Sequence, residues 1–196
     1  MTDLPFPLSG LWHVHTDRTD GRHSPERLVA FADEARFPLI GFTEHVRREL
    51  TYDFADLAAR ARGAAADRDV ECLVGIEAKV LDTDGTLDVD PDTLDRADVV
   101  YAAYHGTPFS RSAYVESVHG MLSNPAVDVW AHPFRYPDRE GFVLAADTRE
   151  SILAAVADHD VRFELNLRRP TTRVGHADLA GVPKIVGYDL HDIDRW

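Results

Sequence analysis

Seven short apolar runs punctuate the chain, over residues 11–15, 39–43, 70–76, 99–104, 127–131, 161–165 and 185–188. Most are continuous rather than strictly alternating, the pattern of parallel strands covered by helices. Helical patterns lie between them. Ser24-Pro25-Glu26 starts the first: Ser24 can cap, Pro25 suits the first turn, and Leu28, Phe31, Ala32 and Ala35 keep helical spacing. Further helices are predicted over residues 54–68, 112–122 and 148–158, with shorter, less regular segments over 90–96 and 176–180. The Asp-rich stretch 81–91 around Gly85 reads as a loop or hairpin extension.

The polar residues that end these runs are as regular as the runs. They are His13/His15, His45, Glu77, His105, His132, Glu164/Asn166 and Asp189/His191, recurring every 25 to 32 residues. An eight-unit β/α barrel takes about 250 residues, roughly 31 per unit. A chain of 196 residues has room for seven such units, and no low-complexity linker divides it. The expectation is an α/β fold, a distorted seven-stranded β/α (TIM-like) barrel forming a single domain over residues 1–196. Its C-terminal mouth would gather metal-type side chains.

Composition narrows the partners. Acidic residues outnumber basic ones 34 to 21, Asp outnumbers Glu 24 to 10, and the two lysines are Lys79 and Lys184. Such an Asp-rich, Lys-poor surface resembles proteins of salt-loving microbes. It argues against broad binding to nucleic acid or anionic membranes, whose phosphates would meet a repelling field. A small anionic substrate can still be held by local arginines and metal ions. No 18-residue apolar span and no basic-then-apolar leader is visible, so the expected location is the cytoplasm. Cys72, alone in an apolar run, is expected to be buried and reduced.

His13 and His15 are two apart in a predicted strand, so both should point to one face and share a site, with Asp20-Gly21 able to fold Asp20 back beside them. The segment His13-Val14-His15-Thr16 with Thr19-Asp20-Gly21 and then Ser24-Pro25-Glu26 resembles the first motif of the PHP (polymerase and histidinol phosphatase) family, Thr19 standing where Ser is usual. Further motifs follow in the family's order. They are Gly41-Phe42-Thr43-Glu44-His45, with Glu44 in place of the common Asp, then Gly75-Ile76-Glu77, Tyr104-His105-Gly106, Ala131-His132-Pro133, Glu164-Leu165-Asn166 and Gly187-Tyr188-Asp189-Leu190-His191, with Tyr188 in place of Ser.

The resemblance implies two or three divalent metal ions held by His13, His15, Asp20, His45, Glu77, His105, His132, Asp189 and His191. In that pattern Glu77 bridges two metals, with His105 and His132 on the second. His13, His15 and Asp189 serve the first, and Asp20, His45 and His191 the third. Glu77, Asp189 and His191 are the expected catalytic residues. Mixed imidazole and carboxylate donors suit Zn, Mn or Fe without choosing among them. The implied activity is hydrolysis of a small phosphate monoester, histidinol-phosphate-like or nucleotide-like, by metal-activated water. The closing motif ends five residues before residue 196, without the helix that often follows it, and the long insertions of larger histidinol phosphatases are absent.

Arg47, Arg48, Arg111, Arg135 and Arg168 all follow strand ends, where barrel enzymes build their sites. Arg135, Arg168 and Lys79 are the chosen substrate-binding candidates, since Arg suits bidentate phosphate contact; the alternative is solvated arginines in surface ion pairs. His23, His119, His159 and His176 match no motif and read as solvated, while Trp12 and Phe42 read as core. Glu164 and Asn166 either cap the barrel mouth or support a ligand from behind. Two other functions remain open: an exonuclease or phosphodiesterase on nucleic-acid ends, which would need a basic groove, and a non-catalytic metal-binding regulatory module, which would normally lose ligands.

Overall fold

A computed structural model describes residues 9–170 and 178–196. The seven apolar runs form seven strands, β1 (Leu11–Val14), β2 (Leu39–His45), β3 (Glu71–Lys79), β4 (Val100–Ala103), β5 (Val129–Trp130), β6 (Arg162–Asn166) and β7 (Lys184–Leu190). Each pairs in parallel with its sequence neighbour, and β7 returns to β1, closing the barrel. Helices lie between strands: α1 (Pro25–Glu34), α2 (Phe54–Ala65), α3 (Pro91–Arg96), α4 (Arg111–Ser123), α5 (Arg135–Glu140) and α6 (Ala146–Asp158). Ser24 caps α1 by accepting from the Arg27 amide, with Pro25 opening the first turn as its sequence predicts.

Two hydrophobic layers hold the barrel. The inner one comprises Trp12, Leu39, Leu73, Val99, Tyr101, Ala103, Val129, Ala131 and Ile185. The outer one, which includes Phe42, packs the other strand faces against the helices. Trp12 fills the barrel because Gly41 leaves it room: a Cβ there would lie 2.4 Å from Trp12 Cε3. Trp12 and Phe42 are fully buried, as expected. Cys72 is only half-buried against the outer layer, and burial pushes its thiol up to about 12, so it stays protonated.

Boundaries moved where polar residues continue a strand. β2, β3 and β7 run past their apolar stretches to His45, Lys79 and Leu190, since strand pairing depends on backbone groups, not on side-chain polarity. α5 is a helix in a stretch to which the hydrophobic pattern assigned no element. Its Pro137 occupies the first turn, whose N–H groups need no partner within the helix, so the proline does not break it. The Asp-rich stretch is a hairpin-like extension closed by an antiparallel bridge between Val80 and Leu87. Of the segment read over 176–180, residues 176 and 177, including His176, lie outside the described residues. No helix among the described residues is long and apolar enough to cross a membrane.

Candidate metal centre

The inward rows of the strands carry the site. On β2 the row Leu39, Gly41, Thr43 ends in His45; on β3 Leu73 and Gly75 lead to Glu77; on β7 Ile185 and Gly187 lead to Asp189. Period-two alternation thus brings an apolar barrel floor up to a polar mouth. β1 departs from that rule and corrects the expectation of two histidines on one face of a regular strand. It ends at Val14, its pairing shifts register between Trp12 and Val14, and His13 sits at the shift with φ 64°. A bulge re-aims a side chain, and the two rings still meet with centroids 5.1 Å apart. His132 (φ 31°) and Asp189 (φ 50°) are also left-handed. Each such residue costs on the order of 1–2 kcal/mol, a strain that recurs at functional sites.

All nine candidate residues converge at the mouth. Glu77 is their hub, buried at 1% exposure. Its Oε1 lies 2.8 Å from His132 Nε2 and 3.6 Å from both His13 Nε2 and His105 Nε2. Its Oε2 lies 3.0 Å from His45 Nδ1 and 3.6 Å from His15 Nε2. Asp189 Oδ1 stands 3.9 Å from His13 Nε2 and 3.8 Å from His15 Nε2. Asp20, on a turn folded back by the Gly21 amide donating to Thr16 O, reaches within 3.2 Å of His191 Nε2 and 3.5 Å of His45 Nε2. At the mouth, three groups of the described residues offer donor atoms close enough to share an ion: His15, Asp20, His45 and His191; His13, His15 and Glu77; and His45, Glu77 and His105; a fourth such group, His23, Asp192 and Asp194, contains none of the nine. His15 and His45 therefore each belong to two groups, where the expected division gave each one.

Two buried carboxylates hold this cluster from behind. Glu164 bonds His13 Nδ1, accepts the His132 amide, and accepts from Asn166 Nδ2 at 3.1 Å. It supports the cluster rather than only capping the barrel. Glu44 accepts the Thr16 amide at 2.9 Å and the hydroxyls of Thr16 and Thr19, tying down the turn that carries Asp20. In the sequence Glu44 stands out only as a replacement for the Asp common at that position. Its signal was its position: a carboxylate inside an apolar strand must find buried donors.

The donor chemistry fits cations. Among the described residues, His13 Nε2, His15 Nδ1 and Nε2 and His45 Nδ1 are buried without an aligned hydrogen-bond partner, an expensive arrangement unless an ion uses them. Protonation tells the same story. Burial lowers His13 and His45, but Glu164 and Glu77 lift His13 well above the usual imidazole range, and Asp20 and Glu77 lift His45 to about 10. Burial opposes ionisation of Glu77, yet His13 and His105 hold it well below the carboxylate range. Burial keeps His15 low and takes His105 down to about 4. At pH 7 the metal-free cluster therefore holds protons that a cation must displace.

Loading Zn or Mn at pH 7 is expected to release protons, with apparent affinity rising with pH. Calorimetry in buffers of different ionisation enthalpy reads the number, and no release would contradict the assignment. The same shift acts on folding. His45 rises from 6.5 to about 10, so its contribution to metal-free stability is fully present below pH 6.5 and lost as pH climbs through about 10.

A cavity of about 270 Å³ opens over the cluster, lined by Glu77, His45, His105, His132, Asp189 and His191 together with Arg47, Arg135, Arg139, Arg168 and Arg169. Of the substrate-binding candidates, Arg135 and Arg168 line it and Lys79 does not. Arg168 Nη1 lies 2.7 Å from His191 Nδ1 and donates to Asp189 Oδ1 at 3.4 Å. Arg48 and Arg111 lie elsewhere, Arg48 donating its amide to Asp88 and Arg111 packing 5.9 Å over Phe142. Among the unmatched histidines, His159 is exposed and His119 half-buried, while His23 pairs with Asp192 at 3.2 Å rather than standing in solvent.

A closed parallel β/α barrel with a histidine-carboxylate cluster at its C-terminal mouth defines a class of metal-centred barrels. Within that class, the PHP domain family matches residues 12–182, and the chain belongs to that family, which is metal-dependent. It is 27% identical over 201 residues to the DNA polymerase/3'-5' exonuclease PolX of Bacillus subtilis (strain 168), covering 95% of this chain and 35% of that protein. A probable phosphatase of Caldanaerobacter subterraneus subsp. tengcongensis is 29% identical over 145 residues, covering 65% of this chain and 54% of that one. A probable phosphatase of Acetivibrio thermocellus is 33% identical over 109 residues, with 54% and 42% coverage. The chain thus spans about a third to a half of the length of these relatives.

Proposed function

We propose that the protein is a metal-dependent phosphoesterase that hydrolyses a small phosphate monoester, with residues 1–196 acting as one PHP domain. The observation that carries this reading is the meeting, in one cavity, of seven of the nine cluster residues, Asp20, His45, Glu77, His105, His132, Asp189 and His191, with Arg135 and Arg168. Two or three divalent ions, Zn, Mn or Fe, would supply charge that neutralises phosphoryl oxygens and acidifies water. Glu77 and Asp189 set the negative charge that holds those ions, and His191 completes the outer group with Asp20. Arg135 and Arg168 bind the phosphoryl oxygens, Arg168 exchanging its present contacts to His191 and Asp189 for the substrate. Water oxygen joins phosphorus, the ester P–O bond breaks, and the alcohol leaves with a proton, giving inorganic phosphate. The probable phosphatases among the relatives support the reaction class.

The PolX relative keeps a second reading alive, a phosphodiesterase on nucleic-acid ends. The formal charge of −13 opposes it. p-Nitrophenyl phosphate should be turned over, the activity lost on chelation and restored by Mn or Zn. A chain holding less than one divalent ion, or full activity after His13→Ala with Asp189→Ala, overturns the proposal. Faster release of nucleotides from single-stranded DNA ends than of p-nitrophenol favours the second reading.

A further inference from the structure

Of the nine cluster residues, Asp20 has the most exposed side chain, at 55%, and it sits on a turn rather than at a strand end. His191, which it must meet, is 171 residues away. Two segments far apart in sequence, 16–23 and 189–196, therefore have to be held at one spacing before His15, Asp20, His45 and His191 can share an ion. On the inner side the turn is tied by the Gly21 amide to Thr16 and by the Thr19 hydroxyl to Glu44. Neither contact reaches the segment that carries His191.

Asp192 makes that second connection. Its backbone is extended (φ −154°, ψ 107°), so its side chain turns away from that of His191: His191 faces the cluster and Asp192 faces the Asp20 turn. Asp192 Oδ1 accepts from His23 Nε2 at 3.2 Å and from the Asp194 amide at 3.0 Å, while Oδ2 accepts from Arg22 Nη1 at 3.0 Å. Arg195 Nε lies 3.4 Å from the same Oδ2. The Arg22 amide donates to the His191 carbonyl at 2.8 Å, so backbone and side chains close the same gap. Exposure decides which contact matters. The side chains of Arg22 and Arg195 are 64% and 81% exposed, and ion pairs in that setting contribute little. Those of His23, at 16%, and Asp192, at 10%, are largely out of water, where losing one partner leaves the other unsatisfied. His23, Asp192 and Asp194 also lie close enough to share an ion. Two guanidinium groups beside Asp192 Oδ2 oppose a cation there, so the group reads as a clamp and not as a further metal site.

We propose that His23 and Asp192 are positioning residues for the outer ion, the one shared by His15, Asp20, His45 and His191. Their contact holds the Asp20 turn against the strand end that carries His191. A carboxylate on an untethered turn must be ordered each time an ion binds, and that cost weakens binding. The clamp orders it beforehand. Neither residue is a donor of the outer group, so the effect passes through Asp20 and His191. The inference rests on the cluster taking metal, not on which ester is turned over.

Calorimetric titration of the metal-free protein with zinc, alongside metal analysis of the purified chains, tests this. His23→Ala should weaken the outer ion about 10- to 100-fold, as when a partner that orients a ligand is lost, and leave the other ions at wild-type affinity. Its metal-free melting temperature should stay within about 4 °C of wild type. Asp192→Ala should behave alike. Asp192→Asn keeps an oxygen for His23 and for the Asp194 amide, and should hold the outer ion within about threefold of wild type. In an Asp20→Ala background, whose outer ion is already weakened, His23→Ala should add no more than about twofold. Wild-type zinc affinity in His23→Ala overturns the clamp. So does an equal weakening of every ion with a metal-free melting temperature lowered by well over about 4 °C, the mark of a general structural role. A loss in Asp192→Asn as large as in Asp192→Ala moves the effect to the arginine pairs and overturns the part given to His23. If Asp20→Ala and His23→Ala each lose a different ion and the double variant loses both, His23 is a metal ligand and the clamp is overturned. Failure of the phosphoesterase reading, seen as absence of turnover, leaves all these binding readouts in place.

Discussion

Glu77→Gln should strip at least one divalent ion from each chain and lower phosphatase activity roughly a thousandfold. The substitution is nearly isosteric, so it removes charge while keeping the packing. Glu77 faces five imidazoles within 3.6 Å, those of His13, His15, His45, His105 and His132. No other carboxylate described here touches so many. Loss of its charge removes several kcal/mol of cation binding and of the charge stabilisation those cations provide, about three powers of ten in rate. It also removes part of what raises His13 and His45, so fewer protons should leave on metal loading at pH 7. Metal analysis of the purified variant and a p-nitrophenyl phosphate assay measure both effects. Glu71→Gln, at the exposed opposite end of the same strand, is the control. A Glu77→Gln protein with full metal content and activity would remove the hub from the mechanism.

Gly187→Ala is the second large effect, and it acts without touching any of the nine. A Cβ at Gly187 would sit 1.8 Å from Glu164 Oε1 and 2.6 Å from its Cδ. The side chain of Glu164 must turn away, abandoning His13, the His132 amide and Asn166. A buried carboxylate and a buried imidazole are then left without partners, at a cost of about 3 kcal/mol. For a chain of this size that lowers the melting temperature by roughly 6–12 °C. Metal affinity should fall 10- to 100-fold, as when a partner that orients a ligand is lost. The double variant Gly187→Ala, Glu164→Ala separates the two effects. It relieves the clash and should recover part of the stability, but His13 still lacks its partner, so metal affinity should stay low. Recovery of wild-type metal affinity in the double variant would show that Glu164 does not position His13.

Much of this is legible in the sequence. The seven runs became seven parallel strands, because a strand covered on both faces must be apolar throughout and is therefore conspicuous. Ser24-Pro25-Glu26 opened α1 because capping depends on a few adjacent atoms. His45, Glu77 and Asp189 close inward rows that period-two geometry carries to the barrel mouth, while the full set of nine could be named through the resemblance of the surrounding motifs to the PHP family.

Other features were legible only in part. Glu44 is visible as a carboxylate out of place, but not its partners, since Thr16 and Thr19 meet it only after β1 and β2 pair. α5 was hidden by Pro137, whose tolerance depends on lying in the first turn of a helix that local propensity alone would not start.

The sequence by itself determined the strand order of a barrel, its spacing and which residues stand at its mouth, because these follow from local periodicity and chain-long repetition. Only the tertiary structure decided how they meet. The bulge at His13, the Glu164 side chain admitted by the missing Cβ of Gly187, the sharing of His15 and His45 between groups, and the gathering of arginines beside the cluster are contacts between residues far apart in sequence. Closure of the barrel alone sets those distances.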